Sequence, residues 1–113
     1  MKYIAVNDLI VDFSGGIIPG EKGEPVRVRD ILLQYLGAFL SEKGKDLVIA
    51  RKVGQAVYDC KIDKLALEDA EFEILEKSIA KPRHGALLMA PLFAAVEDAK
   101  KEIPAKNEGK TGE

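Results

Sequence analysis

Apolar residues recur at helical spacing in four separate segments of this chain, and this pattern constrains the fold most strongly. In the segment "DILLQYLGAFL", Ile31, Tyr35 and Phe39 stand four positions apart, and Leu32, Leu36 and Leu40 form an adjoining row. Such rows share one broad face of an α-helix. We expect helices at 29–42, 46–60, 68–81 and 86–101.

The residues that mark helix ends are clear for the first helix and ambiguous for the last. Asp30 suits the first turn of the first helix, and Gly44 suits its stop. Pro91 is either a first-turn residue of the last helix or the site of a kink. We favour the first-turn position, with "HGALLM" irregular or a single helical turn.

Residues 1–26 have the composition of short strands and turns. "YIAV" and "LIVDF" flank Asn7-Asp8, and "FSGGIIPGEKGEP" concentrates glycine and proline. We expect one or two small hairpins, with Ile17-Ile18 pairing back on 11–13. The predicted fold class is mainly α (α+β): an N-terminal β-hairpin followed by a three- to four-helix bundle.

Chain length sets the domain organisation. The chain has 113 residues, close to the commonest size of one domain. We therefore expect a single globular domain over 1–103. The final segment, "PAKNEGKTGE", is polar and has almost nothing apolar to bury, so 104–113 is expected to be a disordered tail.

Net charge argues against dedicated duplex-DNA binding, and the cysteine content favours a cytoplasmic protein. The net charge is −2, from 17 basic and 19 acidic residues, whereas a dedicated duplex-DNA binder usually carries a basic excess. Cys60 is the only cysteine, so an intramolecular disulfide cannot form, which fits a reducing compartment. No apolar run reaches the roughly 20 residues that span a bilayer.

The sequence offers little that resembles a catalytic or cofactor site. "GGIIPGEKGEP" lacks the Gly-Lys-Ser/Thr ending of a phosphate loop. The single histidine, His84, has no sequence-recognisable metal partners, and "KPRHG" is interpreted mainly as a helix connection. The acidic run at 68–76 is explained in its first turn by the helix dipole. We expect no enzyme activity, no catalytic or metal-binding residues, no cofactor and no small-molecule ligand.

Basic residues from three segments could form a local patch. "PVRVRD", "ARK" and "KPRHG" contribute cations that would converge if the first two helices formed an antiparallel pair. Ordinary solvated charge is the simpler explanation. The candidate patch consists of Arg27, Arg29, Arg51, Lys52, Lys81, Arg83 and His84.

The order of these motifs resembles the small helical accessory proteins encoded by tailed phages and prophages. The resemblance covers roughly 11–100 and is carried by "GEPVRVRDILLQYL" and "LEDAEFEILEKSI". Both are capping and core patterns, and the family has no agreed activity that transfers to single residues. The resemblance implies a phage or prophage context rather than a mechanism.

Three functional hypotheses follow, of which an enzyme ranks last because the sequence shows no nucleophile–base pair, metal-ligand set or phosphate loop. The first is a non-enzymatic protein-interaction module, because the apolar content is high for short helices and part of it could form an interface with a second copy or another protein. Its candidate surface residues are Tyr35, Phe39, Met89 and Phe93. The alternative is nucleic-acid binding or regulation through the basic patch.

Overall fold

The four apolar segments form helices. The structure is a computed structural model that describes residues 1–101, and the tail expected at 104–113 lies outside this range. In the described range, the helices are α1 (Val28–Gly37), α2 (Gly44–Asp59), α3 (Asp69–Ile79) and α4 (Ala86–Lys101). The predicted mainly α class with a small antiparallel β element is confirmed.

The only regular ladder within residues 1–101 joins distant parts of the chain. Strand β1 (Lys2–Ile4) pairs antiparallel with β2 (Leu65–Leu67), so that Tyr3 faces Ala66. Strand β2 is not apparent from the sequence pattern, because it is only three residues long and lies immediately before α3. This pairing brings the N-terminus of the chain to the entrance of α3.

The glycine-rich segment forms tight turns, as its composition predicts. Val11 and Ile17 form an isolated antiparallel bridge, which matches the predicted return of 17–18 onto 11–13. The Asp12 carboxylate closes the turn by accepting hydrogen bonds from the Ser14 hydroxyl and from the Ser14 and Gly16 amides. A second bridge joins Pro19 to Pro25. This part of the chain therefore contains hairpin turns.

Helix α1 ends at Gly37, earlier than the predicted residue 42. The Ala38 amide bonds to the Gln34 carbonyl, and the Phe39 amide bonds to the Leu36 carbonyl in a tighter closing turn. Glycine has low helix propensity, which favours the end at this point. Two consequences correct the prediction: Leu40 leaves the buried row and is 89% exposed, and Gly44 begins α2 instead of ending α1.

Helix α4 passes through Pro91, so the preferred first-turn position for this proline was wrong. The helix starts at Ala86, and the Gly85 carbonyl accepts hydrogen bonds from the amides of Leu88 and Met89. Proline lacks an N–H and so removes one intrahelical hydrogen bond. Burial of Leu92, Val96 and Ala99 beyond it favours continuation of the helix.

The core is built around α1, which packs against α2, α3 and α4. Helix α1 buries Val28, Ile31, Leu32, Tyr35 and Leu36 on one face. Fully burying a side chain of this size contributes roughly 1.5–3 kcal/mol by transfer from water. Cys60 is also buried and belongs to the same cluster, as expected of a small apolar residue. The position of α1 fixes the surroundings of Tyr35.

Candidate functional site

The "KPRHG" segment connects α3 to α4 and lies on Tyr35 of α1. Helix α3 ends at Ile79 and α4 begins at Ala86, so the segment is a helix connection. The Tyr35 ring is 2% exposed, and its hydroxyl oxygen lies at the inner surface of the connection. Tyr35 therefore holds the connection against the first helix.

The Tyr35 hydroxyl serves two partners. Its oxygen accepts a hydrogen bond from the backbone N–H of Arg83 at 2.6 Å and lies 2.7 Å from Nδ1 of His84. A hydroxyl has one donor and two acceptor positions. It can donate to Nδ1 of a neutral His84 ring that carries its proton on Nε2. The contact uses one of the two histidine nitrogens to position the connection.

The Arg83 side chain also contacts Tyr35, through the face of its ring. Its guanidinium carbon lies 4.7 Å from the centroid of the Tyr35 ring, a cation–π geometry. The His84 ring meets the same tyrosine edge-on, with centroids 5.5 Å apart. One buried aromatic side chain thus fixes both the backbone and the charged group of Arg83.

A surface groove runs alongside Tyr35, and we call it the Tyr35 groove. It encloses about 300 Å³ between the end of α1, the last turn of α3 and the connection. Its lining consists of apolar and cationic side chains together with Ser78. The Ser78 hydroxyl donates a hydrogen bond to the Leu75 carbonyl of its own helix. The residues that line it are Tyr35, Ala38, Phe39, Leu40, Lys77, Ser78, Ala80, Lys81 and Arg83.

The charged residues of the groove lining are all cations. Lys77 has a carboxylate neighbour, because its Nζ lies 3.6 Å from Glu73 on the preceding helical turn. Across residues 1–101, no carboxylate lies within 4 Å of the charged atoms of Lys81 or Arg83. The groove therefore presents two positive groups without an intramolecular ion pair in that range.

The candidate basic patch is divided by the fold. Lys81, Arg83 and His84 remain together at the connection, whereas Arg27 and Arg29 donate to backbone carbonyls of Asn7 and Cys60, respectively. These two arginines stabilise the N-terminal segment and the end of α2.

The α2 members of the patch have different surroundings. Lys52 forms an ion pair of 3.5 Å with Glu71. Arg51 is exposed and lines a separate groove between α1 and α2. The grooves that Arg51 and Lys81 line share one residue, Phe39.

The candidate interaction surface also requires correction. Tyr35 and Met89 are buried, because both face the core, and they cannot form an exposed surface in this conformation. Phe39 is half-buried in the Tyr35 groove. Phe93 is 37% exposed and lines another groove between α3 and α4, whose charged lining residues are Glu73, Glu76, Lys77, Glu97 and Lys100. The four residues therefore do not share one surface.

The acidic run of α3 takes part in capping and ion pairs. Glu71 accepts the backbone N–H of Glu68 at the start of the helix. Glu76 lies 2.7 Å from the Lys100 amine, and this hydrogen bond raises the pKa of Lys100 above its usual 10.5. Among the residues that the structure describes, no group of His, Cys, Asp and Glu side chains is arranged to hold a metal ion.

Sequence reasoning missed Leu40 as a surface residue. The residue continues the apolar row of Leu32 and Leu36, so the spacing placed it in the core. Gly37 is the signal that could have corrected this, because it interrupts the helix one turn earlier. The structure places Leu40 at the edge of the Tyr35 groove.

None of the helices in residues 1–101 is long and apolar enough to cross a membrane. Comparisons of the chain with family models, curated proteins and solved structures found no match.

Proposed function

We propose that this chain is a non-enzymatic protein-interaction module that binds a partner protein through the Tyr35 groove. The partner is a second copy or another protein. The phage or prophage context, in which the chain would act as an accessory factor in the host cytoplasm, is part of the same proposal and is supported by the resemblance in motif order.

The observation that carries the proposal is the exposure of Leu40 beside a preformed groove. Leu40 is 89% exposed, next to half-buried Phe39 and the cationic groups of Lys81 and Arg83. Transfer of a leucine side chain from water into a partner would contribute roughly 1.5–3 kcal/mol. Aromatic residues and arginine are enriched at protein interfaces, and both are present here.

Nucleic-acid binding is the less supported alternative. It would draw on counterion release from many phosphate contacts along a continuous basic face. Arg27 and Arg29 instead donate to carbonyls of their own chain, and Lys52 pairs with Glu71. The contacts of His84 with Tyr35 likewise favour a positioning role over a chemical one.

The test is a tagged capture from host lysate, with and without nuclease, using the native chain, Leu40→Ser and Phe13→Ser. Phe13 is a matched control because it is 92% exposed in the hairpin region. We expect a nuclease-resistant protein partner that Leu40→Ser loses and Phe13→Ser retains.

Two results would contradict the proposal. Recovery that disappears with nuclease would favour nucleic-acid binding. A partner lost only by Phe13→Ser would move the interface to the hairpin.

A further inference from the structure

We infer that the Tyr35 groove binds a short segment of a partner protein in which a carboxylate side chain is next to a large apolar side chain. This inference rests on the proposed function and adds the chemistry of the partner. It does not depend on which protein supplies the segment.

The charge of the groove selects for an anion. The chain as a whole carries a net charge of −2, yet the charged residues that line this groove are Lys77, Lys81 and Arg83. Glu73 neutralises part of the charge of Lys77, while the other two cations have no carboxylate within 4 Å in the described range. Complementary charge across an interface favours the correct partner and repels a basic one.

The apolar part of the groove selects for an adjacent large side chain. Phe39, Leu40, Ala38 and Ala80 contribute apolar surface beside the cations. The volume of about 300 Å³ is at the lower end of the range for small-ligand sites, about 300–1,000 Å³. A groove of this size suits one or two side chains of a linear segment better than a folded domain surface.

Arg83 is held in place before any partner binds. Its amide is bonded to the Tyr35 hydroxyl, and its guanidinium stacks on the Tyr35 ring. Preorganisation reduces the side-chain entropy that binding would otherwise cost. A guanidinium can also bind a carboxylate through two parallel hydrogen bonds, which a lysine cannot do.

The shape of the site favours a peptide over a lipid surface or a nucleic acid. The cations border a concave groove with apolar walls, where a side chain can enter but a flat bilayer surface cannot. A nucleic acid would draw its affinity from an extended series of phosphate contacts. The Tyr35 groove offers three cations in one small area.

The experiment is an amide-resolved NMR titration of the full chain with three capped peptides. The acidic probe is acetyl-Gly-Asp-Phe-Asp-Leu-Gly-amide. In the neutral and basic probes, asparagine or lysine replaces both aspartates. Each titration is run at about 0.01 M and about 1 M salt, where the Debye length falls from about 30 Å to about 3 Å.

We expect the acidic peptide to shift the amides of Leu40, Lys81 and Arg83. Its affinity should exceed that of the neutral peptide by about tenfold at low salt, and this difference should disappear at high salt. The basic peptide should not bind. Lys81→Glu should weaken binding of the acidic peptide by about tenfold. The control is Lys22→Glu, at an exposed lysine outside the groove lining, and it should leave the affinity for this peptide within about twofold of the native value.

Equal binding of the acidic and neutral peptides, or amide shifts outside the groove, would overturn the inference. So would binding to phosphatidylserine vesicles without binding to the acidic peptide. The outcome is separable from that of the proposed function: a nuclease-resistant partner that depends on Leu40, together with no acidic-peptide binding, would leave the interaction module intact and reject this chemistry.

Discussion

The hydroxyl oxygen of Tyr35 lies 2.7 Å from Nδ1 of His84, so the last turn of the first helix is bonded directly to the connection between the last two helices. The same oxygen accepts a hydrogen bond from the Arg83 amide. A single oxygen atom therefore bonds two consecutive residues of the connection to α1. The candidate site depends on this contact because Arg83 lines the groove.

Removing that hydroxyl should loosen the connection. Tyr35→Phe keeps the ring under the Arg83 guanidinium but leaves the Arg83 amide and His84 without their partner. Both partners are only part-buried, so water can replace the hydroxyl in part and the loss should be about 0.5–1.5 kcal/mol, the usual net contribution of a hydrogen bond. We expect the free energy of unfolding, measured by urea denaturation, to fall by this amount. Hydrogen exchange at the Arg83 amide should become faster.

Tyr58→Phe is the matched control, because Tyr58 is exposed on α2 and, in the structure as described, its hydroxyl has no hydrogen-bond partner. Its unfolding free energy should stay within about 0.5 kcal/mol of the native value. Equal effects of the two substitutions would show that the Tyr35 hydroxyl bonds contribute nothing to stability.

Charged substitutions should separate the buried part of the apolar row from its exposed continuation. Leu36→Asp and Phe72→Asp each place a carboxylate in the core and remove packing, which alone costs about 2–5 kcal/mol. We expect both variants to lose the cooperative thermal transition in circular dichroism.

Leu40→Asp should melt close to the native temperature, since its side chain is already in water. A Leu40→Asp variant that unfolds like Leu36→Asp would contradict the helix end at Gly37.

Gly54→Ala should stabilise the protein. A methyl group at this position would lie 3.8 Å from Cβ of Leu36, an ordinary contact, so the approach of α1 to α2 does not require glycine. Alanine is favoured over glycine inside a helix by roughly 0.5–1 kcal/mol. A higher urea midpoint with an unchanged slope is the expected result.

Gly23→Ala should act in the opposite direction. The φ angle of Gly23 is +79°, a conformation that costs an ordinary L-residue about 1–2 kcal/mol. If Gly54→Ala destabilised the chain as much as Gly23→Ala, the packing between α1 and α2 would be tighter than described.

The Asp12 turn should lose order only in strong acid. Hydrogen bonds from the Ser14 hydroxyl and from the Gly16 and Ser14 amides lower the pKa of Asp12 below its usual 3.8. Because the folded-state pKa is depressed, the stabilisation is present above pH 3.8 and is lost as the pH falls through the folded-state value. NMR titration of the Gly16 amide should therefore show a midpoint below 3.8.

Asp12→Asn is the control for this assignment, since it removes the titrating group and should abolish the transition at Gly16. A native midpoint above 3.8, or a transition that persists in Asp12→Asn, would contradict the described turn.

The sequence by itself determined the parts of the fold that depend on neighbouring residues. Apolar spacing located all four helices, but it did not show that the last one runs continuously from Ala86 through Pro91. Glycine and proline near Val11 and Ile17 predicted the turn that joins them. Helix periodicity and turn chemistry act over a few residues, so both are visible in the chain.

Tertiary structure decided which side chains meet and which stay exposed. The pairing of Lys2 with Leu67 joins distant segments of the chain. Each strand is too short to show a recognisable alternating pattern in the sequence. Tyr35 is recognisable as apolar from its spacing, but its bonds to Arg83 and His84 exist only because α1 packs under the α3–α4 connection. Contacts of this range depend on how the helices pack, and no local pattern encodes them.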